Sequence, residues 1–175
     1  VQDWPGRLGY WDVGVPPSGP MDHLAFRLGN RLLGNAAGAA GLELTVTGPT
    51  LRFRAEARVC LTGAEMDADL DGDAVPWWRP FAIPAGGVLR IGRVAGPGAR
   101  AYVCVAGGIP VPEYLGSRAT FARGRCGGHA GRPLQVGDVL HLTDAAGEGA
   151  DFPLPPGLIP RYGPAWELRV VYGPH

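Results

Sequence analysis

Asp22, Arg27, Asn30, Arg31 and Asn35 follow a rigid turn set by Pro16, Pro17 and Pro20 in the opening stretch VQDWPGRLGYWDVGVPPSGPMDHLAFRLGNRLLGN. Carboxylate, guanidinium and carboxamide groups orient small amides and carbonyls by hydrogen bonding. Polar groups carried from a stiff turn into a helix suggest a built site rather than a surface loop. Arg27 and Asn30 lie one turn apart, so both are expected to point at one ligand; a solvated helix face with local pairing is the alternative.

A second group lies in FARGRCGGHAGRPLQVGD, residues 121–138. Its glycines let backbone N–H groups converge on an anion, and arginine clamps a carboxylate or phosphate with two parallel bonds. Arg118, His129 and Arg132 are the candidates there, although a purely structural bend accounts for the stretch equally. The Lys-Ser/Thr ending of a Walker loop is absent. Glu43, in GLELTVTGP, faces either a cleft or water from a sheet edge. Asp67, Asp69 and Asp71 mimic the start of a calcium loop, but its twelfth position is Trp78 rather than an acid. Their alternation with Met66, Ala68 and Leu70, followed by Asp71-Gly72, predicts an exposed β-hairpin. Ser117 lacks a nucleophile-elbow setting, and no His is spaced to suggest a triad.

These groups must be positioned by a mainly β scaffold. With 46% hydrophobic and 18% charged residues the chain is globular rather than disordered. Its 29 Gly and 18 Pro punctuate short apolar runs, which favours a barrel or sandwich. Expected strands are 9–15, 42–47, 51–54, 58–62, 65–70, 80–83, 88–92, 100–105, 138–142 and 166–172. Residues 145–160 read as a Gly/Pro-rich connector. One helix is expected over Met21–Leu33, with Pro20 in its first turn, Asp22 complementing its dipole and Gly34 ending it. Leu24, Leu28 and Leu32 recur at i, i+4, i+8 and are expected to face the core.

Sixteen basic and sixteen acidic residues give no net charge, which argues against a dedicated nucleic-acid binder. No apolar run is long enough to span a bilayer. All sixteen basic residues are Arg, so no lysine is present to form a Schiff base or carry biotin. Cys60, Cys104 and Cys126 form no C-x-x-C pair; neither zinc nor a disulfide framework is indicated, and reduced thiols in a cytoplasmic setting are expected.

The opening stretch, with GLELTVTGPTLRF, VAGGIPVPEYLGSRATF, GGHAGRPLQVGD and WELRVVYGPH, resembles the carboxyltransferase region of urea carboxylase, in its allophanate hydrolase subunit 2-like or KipA-like half. The motifs occur in the same order along essentially the whole chain. The resemblance implies a cyclophilin-like β-barrel with one short helix, and a single carboxyltransferase domain of which 1–175 is a part, cut at both ends. It implies transfer of a carboxyl group from carboxybiotin to urea, giving allophanate. Biotin would be carried, and ATP used, by other domains, with no metal bound by this chain. The implied partners are a homologous allophanate hydrolase subunit 1-like half, biotin carboxylase and biotin carrier domains, and urea or another small amide, with neither nucleic acid nor membrane.

Within those motifs Asp22 and Asn30 are the expected catalytic residues, and Arg27 would join them in orienting urea or biotin. Arg118, His129 and Arg132 would hold the carboxylate or the charge developing on the ureido oxygen, and Glu43 is a further substrate-binding candidate. The C-subunit of 5-oxoprolinase shares the superfamily, so an ATP-linked amide-ring hydrolase component is the alternative. A non-catalytic binding module is the third reading.

Overall fold

The computed structural model describes residues 1–147 and 154–173. One helix, α1 (His23–Leu32), is followed by strands β1 (Leu42–Thr45), β2 (Thr50–Arg52), β3 (Ala57–Gly63), β4 (Met66–Leu70), β5 (Asp73–Ala74), β6 (Phe81–Ile83), β7 (Val88–Val94) and β8 (Arg100–Val105). They form two four-stranded antiparallel sheets, ordered β1-β8-β3-β6 and β2-β7-β4-β5. The mainly β architecture with one short helix read from the sequence is the one found.

Alternation along β3 and β8 builds two cores from one sheet. Successive side chains of a strand point to opposite faces. Val59, Leu61, Val103 and Val105 therefore face the second sheet, where they pack with Met66, Leu89 and Ile91. Cys60, Tyr102 and Cys104 face the other way, onto Ala25, Phe26, Leu32 and Leu33 of the α1 region. Phe26 is fully buried, edge-on to Tyr102 with ring centres 5.5 Å apart. Burial of such a side chain contributes roughly 1.5–3 kcal/mol.

α1 approaches the sheet through small residues. A Cβ on Gly29 would lie 2.9 Å from Cys104 Sγ and 3.0 Å from Thr62 Oγ1. The Thr62 hydroxyl also donates to the Ala25 carbonyl across 2.9 Å. Of the expected leucine stripe, Leu32 is buried and Leu28 packs against the core, whereas Leu24 is 50% exposed; the rest of the buried face is Ala25, Phe26, Gly29 and Asn30. Pro20 lies outside the helix, because Asp22 is the N-cap. Gly34, at φ +74°, ends the helix as expected.

The hairpin at Asp71-Gly72 forms as read, with Leu70 paired to Asp73. Three expected strands do not form ladders among the described residues. Residues 9–15 hold a single 3-10 turn, Trp11–Val13, between Gly9 and Gly14, both at positive φ. Residues 138–142 keep an alternating burial pattern but form no strand. Residues 166–172 are exposed on both faces, so neither face has a sheet to cover. In the expected connector, 3-10 turns occupy Asp144–Gly147 and Pro156–Leu158, and residues 148–153 lie outside the described residues.

Candidate functional site

The N-terminus of α1 carries the densest polar cluster. Asp22 Oδ1 accepts the Ala25 amide at 3.0 Å, as an N-cap does, and its Oδ2 accepts the Tyr162 hydroxyl at 2.6 Å. The Asp22 amide donates to Tyr102 Oη at 2.7 Å, and Tyr102 donates onward to Glu43 Oε2 at 2.9 Å. Glu43 Oε2 also accepts the Met21 amide at 2.7 Å, and its other oxygen lies 3.6 Å from Arg100 Nε. One buried phenol thus links the backbone at the helix N-cap to a strand carboxylate.

Burial, with Glu43 alongside and against the opposing pull of the Asp22 amide, pushes the Tyr102 hydroxyl above the ordinary tyrosine range. Burial and then Asp22 do the same for Tyr162. Both phenols stay neutral donors at physiological pH. Each carboxylate offers about four lone-pair sites, so Asp22 and Glu43 retain acceptor capacity beyond the bonds described.

Beside this cluster lies a cleft of about 280 Å³ lined by Gly63, Glu65, Trp78, Pro97, Ile159 and Tyr162. Trp78 is buried and held at φ +59°, a conformation that costs a non-glycine residue free energy and persists only where its surroundings enforce it. Flat aromatic and proline walls with one carboxylate suit a small planar group.

A second assembly ties the N-terminal segment to the loop after β8. Asp3, 8% exposed, accepts Ser117 Oγ at 2.6 Å and the Arg118 amide at 2.7 Å. Arg7, wholly buried, donates from Nε to Tyr114 O and from Nη2 to Ala119 O, at 2.8 and 2.9 Å. Among the described residues, four of the seven non-glycine residues at positive φ, Ser18, Leu115, Arg125 and Ala130, lie in or beside these two segments.

The structure brings together some of the expected residues and separates others. Asp22 and Glu43 meet through Tyr102. Asn30 does not point at a ligand beside Arg27: it is fully buried, donates to Ala39 O at 2.9 Å and accepts from Asn35. Its helix position falls on the face that Gly29 presses against the sheet. Arg27 instead sits over Trp4, its guanidinium carbon 4.1 Å from the ring centre.

Arg118 donates to Val111 O and pairs with Glu113 at 2.7 Å. Arg132 grips both oxygens of Asp138, at 2.7 and 2.8 Å, and His129 stands 3.5 Å from the same carboxylate. Arg132, then the Gln135 amide, hold the Asp138 carboxyl well below the usual range. Among the described residues, no hydrogen bond or ion pair joins Arg118, His129 or Arg132 to Asp22 or Glu43.

Sequence reasoning missed Asp3, Arg7, Tyr102 as a polar group, and Tyr162. Asp3 and Arg7 carried one usable signal, namely charges in a proline- and glycine-rich stretch with no local partner. Tyr162 carried none, since its contact spans 140 residues.

A family model described as "Carboxyltransferase domain, subdomain A and B" matches residues 13–175. The chain is 43% identical to urea amidolyase of Saccharomyces cerevisiae over 181 aligned residues, covering all of this chain and 10% of that protein. It superposes on the Kluyveromyces lactis urea carboxylase structure with a TM-score of 0.86 at 43% identity, covering 93% of this chain and 15% of the other. It is 41% identical to the 5-oxoprolinase C-subunit of Haemophilus influenzae over 145 residues, covering 82% of this chain and 46% of that protein. The chain thus spans about a tenth of the length of the yeast relative.

Proposed function

The chain belongs to the carboxyltransferase domain family, subdomains A and B, and from that premise we propose that it takes part in moving a carboxyl group from carboxybiotin to urea, giving allophanate. The observation that carries this reading is identity of 43% across the whole chain to urea amidolyase, against 41% over 82% of it to the 5-oxoprolinase component. Biotin and ATP chemistry belong to other domains: this chain has no lysine to carry biotin.

Urea is planar, with four N–H donors and one carbonyl acceptor. Asp22 and Glu43, linked through Tyr102, supply acceptors for its N–H groups. Orienting the amide in this way raises the frequency of productive encounters. The flat cleft at Trp78 and Tyr162 fits the ureido ring of biotin by face-on contact. At about 280 Å³ it lies just below the roughly 300–1,000 Å³ of drug-sized ligand sites, so it suits a ring or a urea rather than a large molecule. Carboxybiotin, when bound, supplies the activated carboxyl group. Arg118 and Arg132 are occupied by Glu113 and Asp138, so holding the transferred carboxylate would require them to exchange these partners.

The 5-oxoprolinase reading is favoured by the match to its C-subunit. The two separate on incubating the native enzyme with ATP, bicarbonate and either urea or 5-oxoproline. Urea-dependent, avidin-sensitive ATP turnover supports carboxyl transfer. Turnover with 5-oxoproline that avidin leaves untouched supports the alternative.

A further inference from the structure

We propose that Tyr102 is a positioning residue for carboxyl transfer: its hydroxyl commits one oxygen of Glu43 to the protein and sets the other, Oε1, as the acceptor for a substrate N–H group. The inference rests on the reading of Glu43 as a carboxylate that orients urea. Glu43 and Tyr102 are directly opposite in the β1–β8 register, so their side chains are neighbours on one face of the sheet. A backbone amide can only donate. The Asp22 amide, 2.7 Å from Tyr102 Oη, therefore occupies a lone pair of the phenol and leaves its single proton for Glu43 Oε2 at 2.9 Å. The Met21 amide donates to the same oxygen at 2.7 Å. Two donors use both lone pairs of Oε2. Oε1 accepts no hydrogen bond among the described residues, because Arg100 Nε stands 3.6 Å away, beyond bonding distance.

Burial makes the phenol a rigid support. Tyr102 is wholly buried, edge-on to Phe26 in the core that also holds Ala25, Cys60 and Cys104. Packing alone needs no hydroxyl there, since phenylalanine has the same outline. A tie between α1 and β8 would be complete with the Asp22 amide bond; the onward bond is the one that reaches Glu43. An unheld glutamate side chain samples several staggered rotamers. Held at Oε2 by donors from the helix start and from β8, it points Oε1 in one direction. An acceptor fixed in advance loses no freedom when the substrate arrives, so the oriented complex forms more often.

The test is a double-mutant cycle in the native enzyme. It reads kcat/KM for urea in the natural protein, Tyr102→Phe, Glu43→Ala and the double variant, with thermal midpoints to follow folding. Tyr102→Phe should lower kcat/KM about fivefold to tenfold, yet change it by less than about twofold once Glu43 is alanine, because the two groups act as one unit. Replacing Tyr102 with 4-aminophenylalanine keeps the ring and an N–H donor toward Glu43 but gives the Asp22 amide a poor acceptor. That variant should keep at least about half of the natural kcat/KM, which a role confined to anchoring the helix would not allow. An unaltered kcat/KM in Tyr102→Phe, equal losses in both backgrounds, or no recovery with the amino analogue would overturn the inference and leave the urea reading standing. Full activity in Glu43→Ala would remove the urea reading at Glu43, and this inference with it.

Discussion

Tyr162 Oη sits 2.6 Å from Asp22 Oδ2, while the other oxygen of the same carboxylate caps α1 through the Ala25 amide. One side chain therefore fixes the start of the helix and holds the 154–163 segment against it, with Ile159 and Tyr162 packed on the helix-side core. Asp22→Ala should cost about 1–2 kcal/mol for the cap together with the tyrosine bond. Tyr162→Phe alone should cost about 1 kcal/mol. Urea denaturation measures both; an unchanged midpoint for Asp22→Ala would show that neither bond contributes.

Cys60 and Cys104 sit opposite each other on β3 and β8, both fully buried. Burial pushes the Cys60 thiol up to about 12 and Cys104 well above its ordinary value. Neither forms thiolate at neutral pH, and only thiolate reacts with alkylating agents. Iodoacetamide on the folded protein should modify Cys126 alone, which is half-buried. Peptide mass spectrometry reads the outcome, and rapid labelling of Cys60 would contradict this packing.

Asp138 is depressed by Arg132, so its contribution to stability is complete above the unfolded carboxylate value of about 3.9. That contribution fades as pH falls below it toward the folded value. The stability gap between the natural protein and Asp138→Asn should be constant above about pH 5 and shrink below about pH 4. Denaturation midpoints measured across pH test this, and a gap that widens on acidification would have the wrong sign.

Arg7 and Gly127 pack as a pair. A Cβ on Gly127 would meet Ala119 O and lie 2.7 Å from Arg7 Nη2, and the glycine sits at φ +68°. Arg7→Lys keeps the charge but cannot reach both Tyr114 O and Ala119 O, leaving one buried carbonyl unpaired at a cost of about 1–3 kcal/mol. Gly127→Ala should exceed that, because a backbone carbonyl cannot move aside. Thermal unfolding of both variants checks the order; a neutral Gly127→Ala would refute the contact.

Much of the scaffold was legible because its signals are local. The alternation of ARVCLTG and RAYVCV, the Asp71-Gly72 turn and the Gly34 stop each depend on neighbours within a few residues. The helix face was read in part: Leu28 and Leu32 do pack on the core, but Leu24 does not, and the close approach of Gly29 to Cys104 is not local in sequence. Asn30 was misassigned for the same reason: a carboxamide on the buried face serves Ala39 and Asn35 rather than a ligand. Asp22 and Glu43 were singled out by residue type. Tyr102 was hidden inside a strand whose side chains otherwise form core, and Tyr162 is too distant in sequence for any spacing rule to reach. The run at 166–172 has strand composition, but composition does not supply a neighbouring strand.

The most direct measurement follows label from bicarbonate into allophanate by the native enzyme with ATP and urea, comparing the natural protein with Glu43→Gln. The account predicts avidin-sensitive labelling, with kcat/KM lowered about tenfold to a hundredfold in the variant as an orienting carboxylate is lost, while bicarbonate-dependent ATP cleavage in the absence of urea is unchanged. Full labelling by Glu43→Gln, or no urea-derived product from the natural enzyme, would contradict it.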